Sequence, residues 1–386
     1  MKVVYKISDN IISSLGFSTA ENRTAINQGK SGIELQENKF GIPEPFQASV
    51  VDFDQLNADF NTYAIGKNYT DFERLVISSV HEAATHTDVD LSSSETLFIL
   101  STTKGNISLA DPKLDQGFDA ERVHLWAAAN QIATFFRNPN HPVIVSQACV
   151  SGVSAILSAK MHLESGRYKK VVVAGGDVLS KFIVSGFQSF KALSPSGCRP
   201  FDALRDGLTL GEGAATIILA IAEEKTLPAN SIFIKAGATS NDANHISGPS
   251  RTGEGLYRAI MHTLKDVDIQ NIAFINAHGT ATLYNDEMEA IALSRAGLEQ
   301  IPVNSLKGYI GHTLGAAGLI ETIICMQSLL NSKLIKTLGF SNLGVSKDLN
   351  VITETNGFKT TECLKTASGF GGCNAVVLIK KTTQWN

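Results

Sequence analysis

Val143-Ile-Val-Ser-Gln-Ala-Cys-Val-Ser-Gly152 reads as an apolar strand that ends at a cysteine in a turn of small residues. An apolar, helix-compatible run, Val153 to Met161, follows at once. Strand, sharp turn and helix place Cys149 at a helix N-terminus. There the unpaired backbone N–H groups and the positive end of the dipole favour thiolate over thiol. The segment by itself leaves two readings open. Cys149 is either a small core residue at a strand end or the nucleophile of an elbow built for acyl transfer.

Two histidine segments lie downstream. In Phe274-Ile-Asn-Ala-His-Gly-Thr-Ala-Thr282 an apolar strand delivers His278 into a Gly/Thr loop. In Ser305-Leu-Lys-Gly-Tyr-Ile-Gly-His-Thr-Leu-Gly-Ala-Ala-Gly318, His312 precedes a helix rich in small residues. A lone histidine is more often a core or loop residue than a catalyst. Here both sit at the mouth of an element beside glycine and threonine, where a thioester can approach the imidazole closely. One cysteine, two such histidines and the nearby Lys307 point to an acyl-transfer site.

On these residues the chain resembles a β-ketoacyl-acyl-carrier-protein synthase, a condensing enzyme of the thiolase superfamily. The motifs that carry the resemblance are Ala-Cys-x-Ser-Gly at 148–152, and Arg199-Pro-Phe-Asp-Ala-Leu-Arg-Asp-Gly-Leu-Thr-Leu-Gly-Glu-Gly-Ala214. They continue with His278-Gly-Thr followed by Asp286, Lys307 with Gly311-His-Thr-Leu-Gly-Ala-Ala-Gly318, and Gly369-Phe-Gly-Gly-Cys-Asn374. Their order and spacing hold from about residue 140 to the end, and the first 60 residues fit more loosely.

The resemblance implies a ping-pong reaction. Cys149 takes an acyl group from a carrier-protein thioester. A malonyl thioester then loses CO₂, and its enolate attacks the acyl-cysteine. His278 and His312 would donate N–H bonds to the enolate oxygen. Lys307 would orient His312 and support the thiolate. The backbone N–H groups of Cys149 and Phe370 would form the oxyanion hole, with Phe370 also gating the acyl pocket. Thr280 and Thr282 would hold the phosphopantetheine arm. Glu321, nine residues past His312, would be a structural partner beneath the site, as would Asp286. Neither a metal nor a cofactor is implied.

Some positions depart from the family pattern. Ala281 replaces a glycine, and its methyl group costs energy if the position needs φ > 0. Ser368 replaces a phenylalanine beside the gate, Gln147 stands where threonine is common, and Asn285 precedes Asp286 in place of glycine. The N-terminal turn expected at Ile7-Ser-Asp-Asn-Ile lacks the family's glycines. These changes bear on substrate choice more than on chemistry.

Composition agrees with this reading. The 386 residues are 43% hydrophobic and 18% charged, which describes an ordinary globular protein with a large core. A net charge of −4 argues against general nucleic-acid affinity. An acidic carrier would then need a local basic patch, for which Lys169-Lys170 and Lys333 with Lys336 are candidates. The five cysteines show no paired spacing, which fits a reducing compartment. Met1-Lys-Val-Val-Tyr-Lys is no signal sequence, and Glu321 interrupts the apolar stretch near Leu319, so the expected location is the cytoplasm, away from membranes.

Strands are expected at Thr96–Ser101, Val143–Ser146, Val171–Ala174, Ala215–Ala220, Ser231–Ala236, Ile272–Asn276 and Ala375–Lys380. Helices are expected at Asp71–His86, Ala120–Phe136, Val153–Glu164, Gly253–Lys265, Asp286–Ala296 and Gly315–Leu330. This α/β alternation argues for sheets covered by helices. An internal echo relates Gly211-Glu-Gly-Ala-Ala-Thr-Ile-Ile-Leu219 to Gly369-Phe-Gly-Gly-Cys-Asn-Ala-Val-Val-Leu378. With the resemblance it implies a thiolase-like, layered α-β-α-β-α fold of two duplicated halves, 1–225 with the nucleophile and 226–386 with both histidines. By the resemblance the protein is a dimer, a homodimer or a heterodimer with a related subunit.

Other signals are set aside. His81-Glu-Ala-Ala-Thr-His86 resembles a zinc motif, but a five-residue spacing sets its histidines about 140° apart on a helix. Ala174-Gly-Gly-Asp177 reads as a turn and not as a dinucleotide fingerprint. A coenzyme-A-dependent thiolase would need a second catalytic cysteine in the C-terminal loop, where Cys373 lies. A non-catalytic, chain-length-factor type of subunit would lack the nucleophile that Cys149 supplies.

Overall fold

The computed structural model describes residues 1–64, 68–111 and 117–383. Its main sheet has ten strands. The first five are β1 (Lys2–Ile12), β2 (Thr96–Ser101), β3 (Val143–Val145), β4 (Lys170–Asp177) and β5 (Gly213–Glu223). The second five are β6 (Ile232–Asn241), β7 (Ile272–Asn276), β8 (Val303–Asn304), β9 (Glu362–Gly369) and β10 (Cys373–Lys381). From the centre outward the order is β1-β5-β4-β2-β3 on one side and β6-β10-β9-β7-β8 on the other. The second order is the first with every strand advanced by five. Pairing directions repeat as well. In each half the first two contacts are antiparallel and the outer two parallel. The echoed segments therefore feed equivalent strands, β5 and β10. A short pairing of Val4 with Ile234 and Tyr5 with Phe233 joins the halves.

The strands bury both faces, and alternate side chains serve different layers. Val171 and Val173 of β4 face inward with Ile217 of β5 and Val377 of β10. They meet α3 (Ser151–Glu164) and α7 (Ala317–Asn331), which supply Ile156, Ala159, Ile320 and Ile323. Val172 and Ala174 face outward against α1 (Asp71–Thr85) and α2 (Leu125–Phe135). Leu364 and Val376 likewise pack under α5 (Glu254–Thr263) and α6 (Leu283–Arg295). The result is the expected α-β-α-β-α layering, and each Val, Leu or Ile it buries contributes about 1.5–3 kcal/mol.

The central helices touch at equivalent glycines. A Cβ on Gly152 would lie 2.6 Å from the Leu319 nitrogen, and one on Gly318 would lie 2.7 Å from the Val153 nitrogen. Absence of side chains there lets the N-terminal ends of α3 and α7 meet, and those ends carry Cys149 and His312.

Three expectations are corrected. Ile7-Ser-Asp-Asn-Ile is no turn; it lies inside β1, where Ser8 and Asn10 are buried and satisfied by the Ala83 and Phe17 carbonyls. Ala174-Gly-Gly-Asp177 is also strand, because the glycines make room for neighbours: a Cβ on Gly175 would lie 2.5 Å from Leu319 Cδ1. The helix expected over 120–136 divides at His124, whose backbone is extended, into a short 3₁₀ turn and α2.

Leu314–Asn331 is long and apolar enough to cross a membrane on composition alone, but 83% of it is buried inside this fold. His81 stacks on Tyr63, with ring centroids 4.0 Å apart, while His86 faces Glu82, so the pair shares no metal.

Candidate active site

Cys149, His278, Lys307 and His312 all follow parallel strands at their carboxyl ends, the edge where α/β sheets gather their sites. Cys149 follows β3. Lys307 and His312 follow β8, its equivalent in the other half, and His278 follows β7. The three sites converge on a cavity of about 400 Å³ that Cys149, His278, His312, Thr280, Ser368 and Phe370 help to line.

The elbow is strained and braced. Ala148 has φ 47°, a left-handed conformation that costs an alanine about 1–2 kcal/mol. Ser151 offsets this: its hydroxyl donates to the Ala148 carbonyl at 2.6 Å and accepts from the Gln147 N–H at 2.8 Å. Cys149 thus stands two residues ahead of α3. Burial nevertheless pushes its thiol up to about 11, with Lys307 pulling it down and Asp177 pushing it further up. Burial thus opposes the resting thiolate expected from the helix end.

Both histidines are neutral N–H donors. Lys307 Nζ lies 3.3 Å from His278 Nδ1, and an ammonium can only donate, so Nδ1 accepts and Nε2 carries the proton. The Leu314 N–H donates to His312 Nδ1 at 3.3 Å, which assigns the same tautomer. Burial first, then Lys307, holds both imidazoles well below the usual histidine range. His312 Nε2 is buried with no hydrogen-bond partner among the described residues. An unpaired buried donor at a cavity wall is costly unless a ligand oxygen fills it. The rings lie 5.0 Å apart, edge to face.

Cys149 Sγ and one nitrogen from each ring fall within 4.8 Å of one another. A soft cation could use that donor set only after three deprotonations or tautomer changes, and the Lys307 cation stands beside it. The protonation pattern fits a substrate oxygen better than a metal.

Contrary to the expectation from sequence, Lys307 makes no hydrogen bond to His312 among the described residues; it holds His278, donating to the carbonyl at 2.5 Å as well as to Nδ1. The short α-helical turn Lys307–Ile310 points its side chain back toward β7. Glu321 lies beneath, 2.6 Å from Lys307 Nζ. Burial pushes the Glu321 carboxyl up, but Lys307 and Lys365 more than offset it and hold it below its ordinary range.

Asp286 organises the loop after His278. It accepts from the backbone N–H groups of Phe201, Thr280 and Ala281 at 2.7, 3.0 and 3.2 Å. Burial pushes its carboxyl up to about 7. Ala281 has φ 65°, so the substituted glycine position does need the left-handed region, and the Asp286 bond helps to hold it there. Thr280 and Thr282 hydroxyls lie 2.9 Å apart on the cavity wall, and Thr282 also caps α6.

Phe370 is partly exposed at the mouth, stacked on Phe187 and edge-on to Phe190 at centroid distances of 6.0 and 5.8 Å. Phe187 belongs to α4 (Lys181–Ser189) and Phe190 caps it. The turn behind Phe370 uses Gly371 and Gly372 at positive φ. A Cβ on Gly369 would lie 3.1 Å from the Cys149 nitrogen, which brings the two amides expected to form an oxyanion hole to one place. Ser368 donates to Asn374 Oδ1 at 2.8 Å. Cys373 is absent from the cavity lining and accepts from Asn241 Nδ2 at 3.3 Å.

Sequence reasoning missed Glu289 and Asp177. Glu289, buried on α6, accepts from the His278 and Gly279 N–H groups at 2.8 and 2.6 Å. Its spacing three residues after Asp286 was the available signal: two acids on one face of a helix with buried neighbours. Asp177 takes the Thr102 hydroxyl at 2.8 Å and the Gly315 N–H at 2.7 Å, tying the His312 segment to the other half. The Lys169-Lys170 cluster starts β4, whose far end is Asp177, roughly 23 Å away by strand rise. Lys191, by contrast, lines the cavity.

Comparison with known proteins agrees with this geometry. Residues 22–225 match the profile of the beta-ketoacyl synthase N-terminal domain, and 231–341 match that of the C-terminal domain. A 3-oxoacyl-[acyl-carrier-protein] synthase 2 of Rhizobium meliloti (strain 1021) is 33% identical over 278 residues, 68% of this chain and 65% of that protein's own length. A beta-ketoacyl synthase structure from Burkholderia phymatum STM815 superposes with TM-score 0.86 at 24% identity, covering 99% of this chain and 100% of its own. A ketosynthase in complex with its chain length factor from Xenorhabdus doucetiae gives TM-score 0.84 at 23% identity, covering 99% and 98%. These structural likenesses establish the thiolase-like fold. With both family profiles matched in order, and with Cys149, His278 and His312 gathered at one cavity, the chain belongs to the beta-ketoacyl synthase family.

Proposed function

We propose that this protein is a β-ketoacyl-[acyl-carrier-protein] synthase that joins an acyl group held on Cys149 to a malonyl thioester, in fatty acid or polyketide chain elongation. The observation that carries the reading is the pair of Nε2–H donors, from His278 and His312, converging on one cavity beside the Cys149 thiol.

The thiol attacks the acyl thioester carbonyl; its S–H bond breaks as the new S–C bond forms, and the proton ends on the departing phosphopantetheine sulfur. The malonyl thioester then enters. Its C–C bond to carboxylate breaks, CO₂ leaves, and the electron pair moves to the thioester oxygen, where the two N–H donors stabilise the enolate. No base is needed, which suits imidazoles held neutral by burial and Lys307. The enolate carbon attacks the acyl-cysteine. The resulting oxyanion faces the Cys149 and Phe370 amides, and collapse expels the Cys149 sulfur, which takes up a proton from solvent. The product is a β-ketoacyl thioester two carbons longer. Thr280 and Thr282 would guide the phosphopantetheine arm past Phe370.

The partner in this reading is a carrier protein bearing thioesters. A dimer is proposed, with itself or with a related subunit like the chain length factor of the Xenorhabdus doucetiae complex. We place the boundary between halves at 225/226, on the support of the repeated strand order. Five free cysteines fit the cytoplasm.

Intact mass after mixing with acyl-carrier thioesters of several chain types tests the reading, alongside Cys149→Ala. An acyl-sized increase absent from the variant is expected. A folded protein that gains no adduct from any chain would overturn it.

A further inference from the structure

Lys365 is a second fully buried lysine that the reaction above does not use. It sits on β9 beneath the cavity, outside its lining. Its Nζ lies 2.6 Å from Glu321 Oε2 and donates to the carbonyls of Thr366, at 2.7 Å, and Ala277, at 3.4 Å. Ala277 immediately precedes His278. Glu321 Oε1 is taken by Lys307, the residue that donates to His278 Nδ1 and O. A buried ammonium without pairing is expensive, and so is a buried carboxylate with only part of its demand met. Glu321 is therefore divided between two cations. While Lys365 occupies one oxygen, Lys307 is held at the other with its remaining protons directed to His278.

We propose that Lys365 is a positioning residue for His278, acting through Glu321 and Lys307 to keep the imidazole fixed as an Nε2–H donor. Without Lys365 both Glu321 oxygens attract Lys307, the ammonium moves off Nδ1, and His278 is free to change tautomer. The same removal leaves a hole edged by Glu321 Oε2 and the Thr366 and Ala277 carbonyls. All three are acceptors, so the hole suits a small monovalent cation that donates in several directions. The inference rests on the proposed decarboxylation for its kinetic consequence, while the tautomer of His278 does not depend on it.

The experiment compares wild type, Lys365→Met and Lys365→Ala. Release of CO₂ from malonyl-carrier thioester and acylation of Cys149 are measured separately. The imidazole ¹⁵N spectrum reports the His278 tautomer, assigned by its loss in His278→Asn. In folded Lys365→Met, CO₂ release should fall about 10-fold to 100-fold, as for a displaced catalytic group. Cys149 acylation should change far less, and His278 should lose its single tautomer. Ammonium should restore CO₂ release to Lys365→Ala, and tetramethylammonium, too large for the hole, should not. A folded variant whose His278 keeps its tautomer and whose CO₂ release matches wild type overturns the proposal. Equal loss of both half-reactions together with the fold, unrelieved by ammonium, also overturns it, since Lys365 would then be structural only. A wild-type protein that releases no CO₂ sinks the functional reading, and the tautomer comparison then decides the inference alone.

Discussion

The two halves repeat one strand order, yet the equivalent turns do opposite work. After β3 the chain makes a strained elbow at Ala148, held by the Ser151 hydroxyl, with no charged side chain in the brace. After β8 and β7 it places Lys307, His312 and His278 over Glu321, Glu289 and Lys365, all buried. A nucleophile needs exposure of one atom, which backbone geometry alone provides. Two N–H donors need fixed tautomers and fixed aim, which only hydrogen-bonded charges give in a dry interior. The repeated strand order supplied the frame, and buried charge distinguishes the histidine half from the cysteine half.

The largest break in this comparison comes from the donors. His278→Ala or His312→Ala should lower CO₂ release from malonyl thioester by on the order of 10² to 10³. Acyl-cysteine formation, read by intact mass, should fall less for at least one of the two. Equal loss in both half-reactions for both variants would mean that the histidines serve the nucleophile alone.

Next in size is the contact that joins the halves. Gly152→Ala puts a methyl 2.6 Å from the Leu319 nitrogen and should cost about 1–3 kcal/mol in denaturant unfolding. Gly318→Ala should cost similarly, and the pair should be non-additive because they share one contact. Gly186, half-buried in a helix but with nothing within 4 Å of its Cβ position, is the control. Its alanine variant should gain about 0.5–1 kcal/mol.

The third test concerns the thiol. With its value pushed up to about 11, Cys149 alkylation should climb steadily with pH through the alkaline range. It should not level off near neutrality. The Lys307 charge favours thiolate, so Lys307→Met should raise the thiol further and slow alkylation at a fixed pH, tenfold for each unit. A plateau near neutral pH would restore the thiolate that burial opposes.

The smallest effect is local. Ala281→Gly relieves a φ of 65° and should stabilise by at most about 1 kcal/mol, seen as a small rise in Tm. An unchanged or lower Tm would show that the buried methyl group offsets its strain.

Legibility in the sequence followed the range of the interactions. Thr96–Ser101 and Ile272–Asn276 were readable to the residue because their apolar runs are bounded by polar turns. β1 and β9 were not, since Ser8, Asn10, Lys365 and Thr366 interrupt the pattern and are satisfied only after folding. Cys149, His278 and His312 stand in local motifs. Lys307 was visible, but which histidine it serves was not.

The sequence by itself determined the α/β alternation, the family and the motifs that hold Cys149, His278 and His312, because periodicity and short motifs are properties of neighbouring residues. Only the tertiary structure decided that burial opposes the Cys149 thiolate, that Lys307 holds His278, and that Glu289 and Lys365 belong beneath the site. Those facts depend on desolvation and on contacts such as Thr366 with Glu289, 77 residues apart. A buried charge has no partner until the layers close around it.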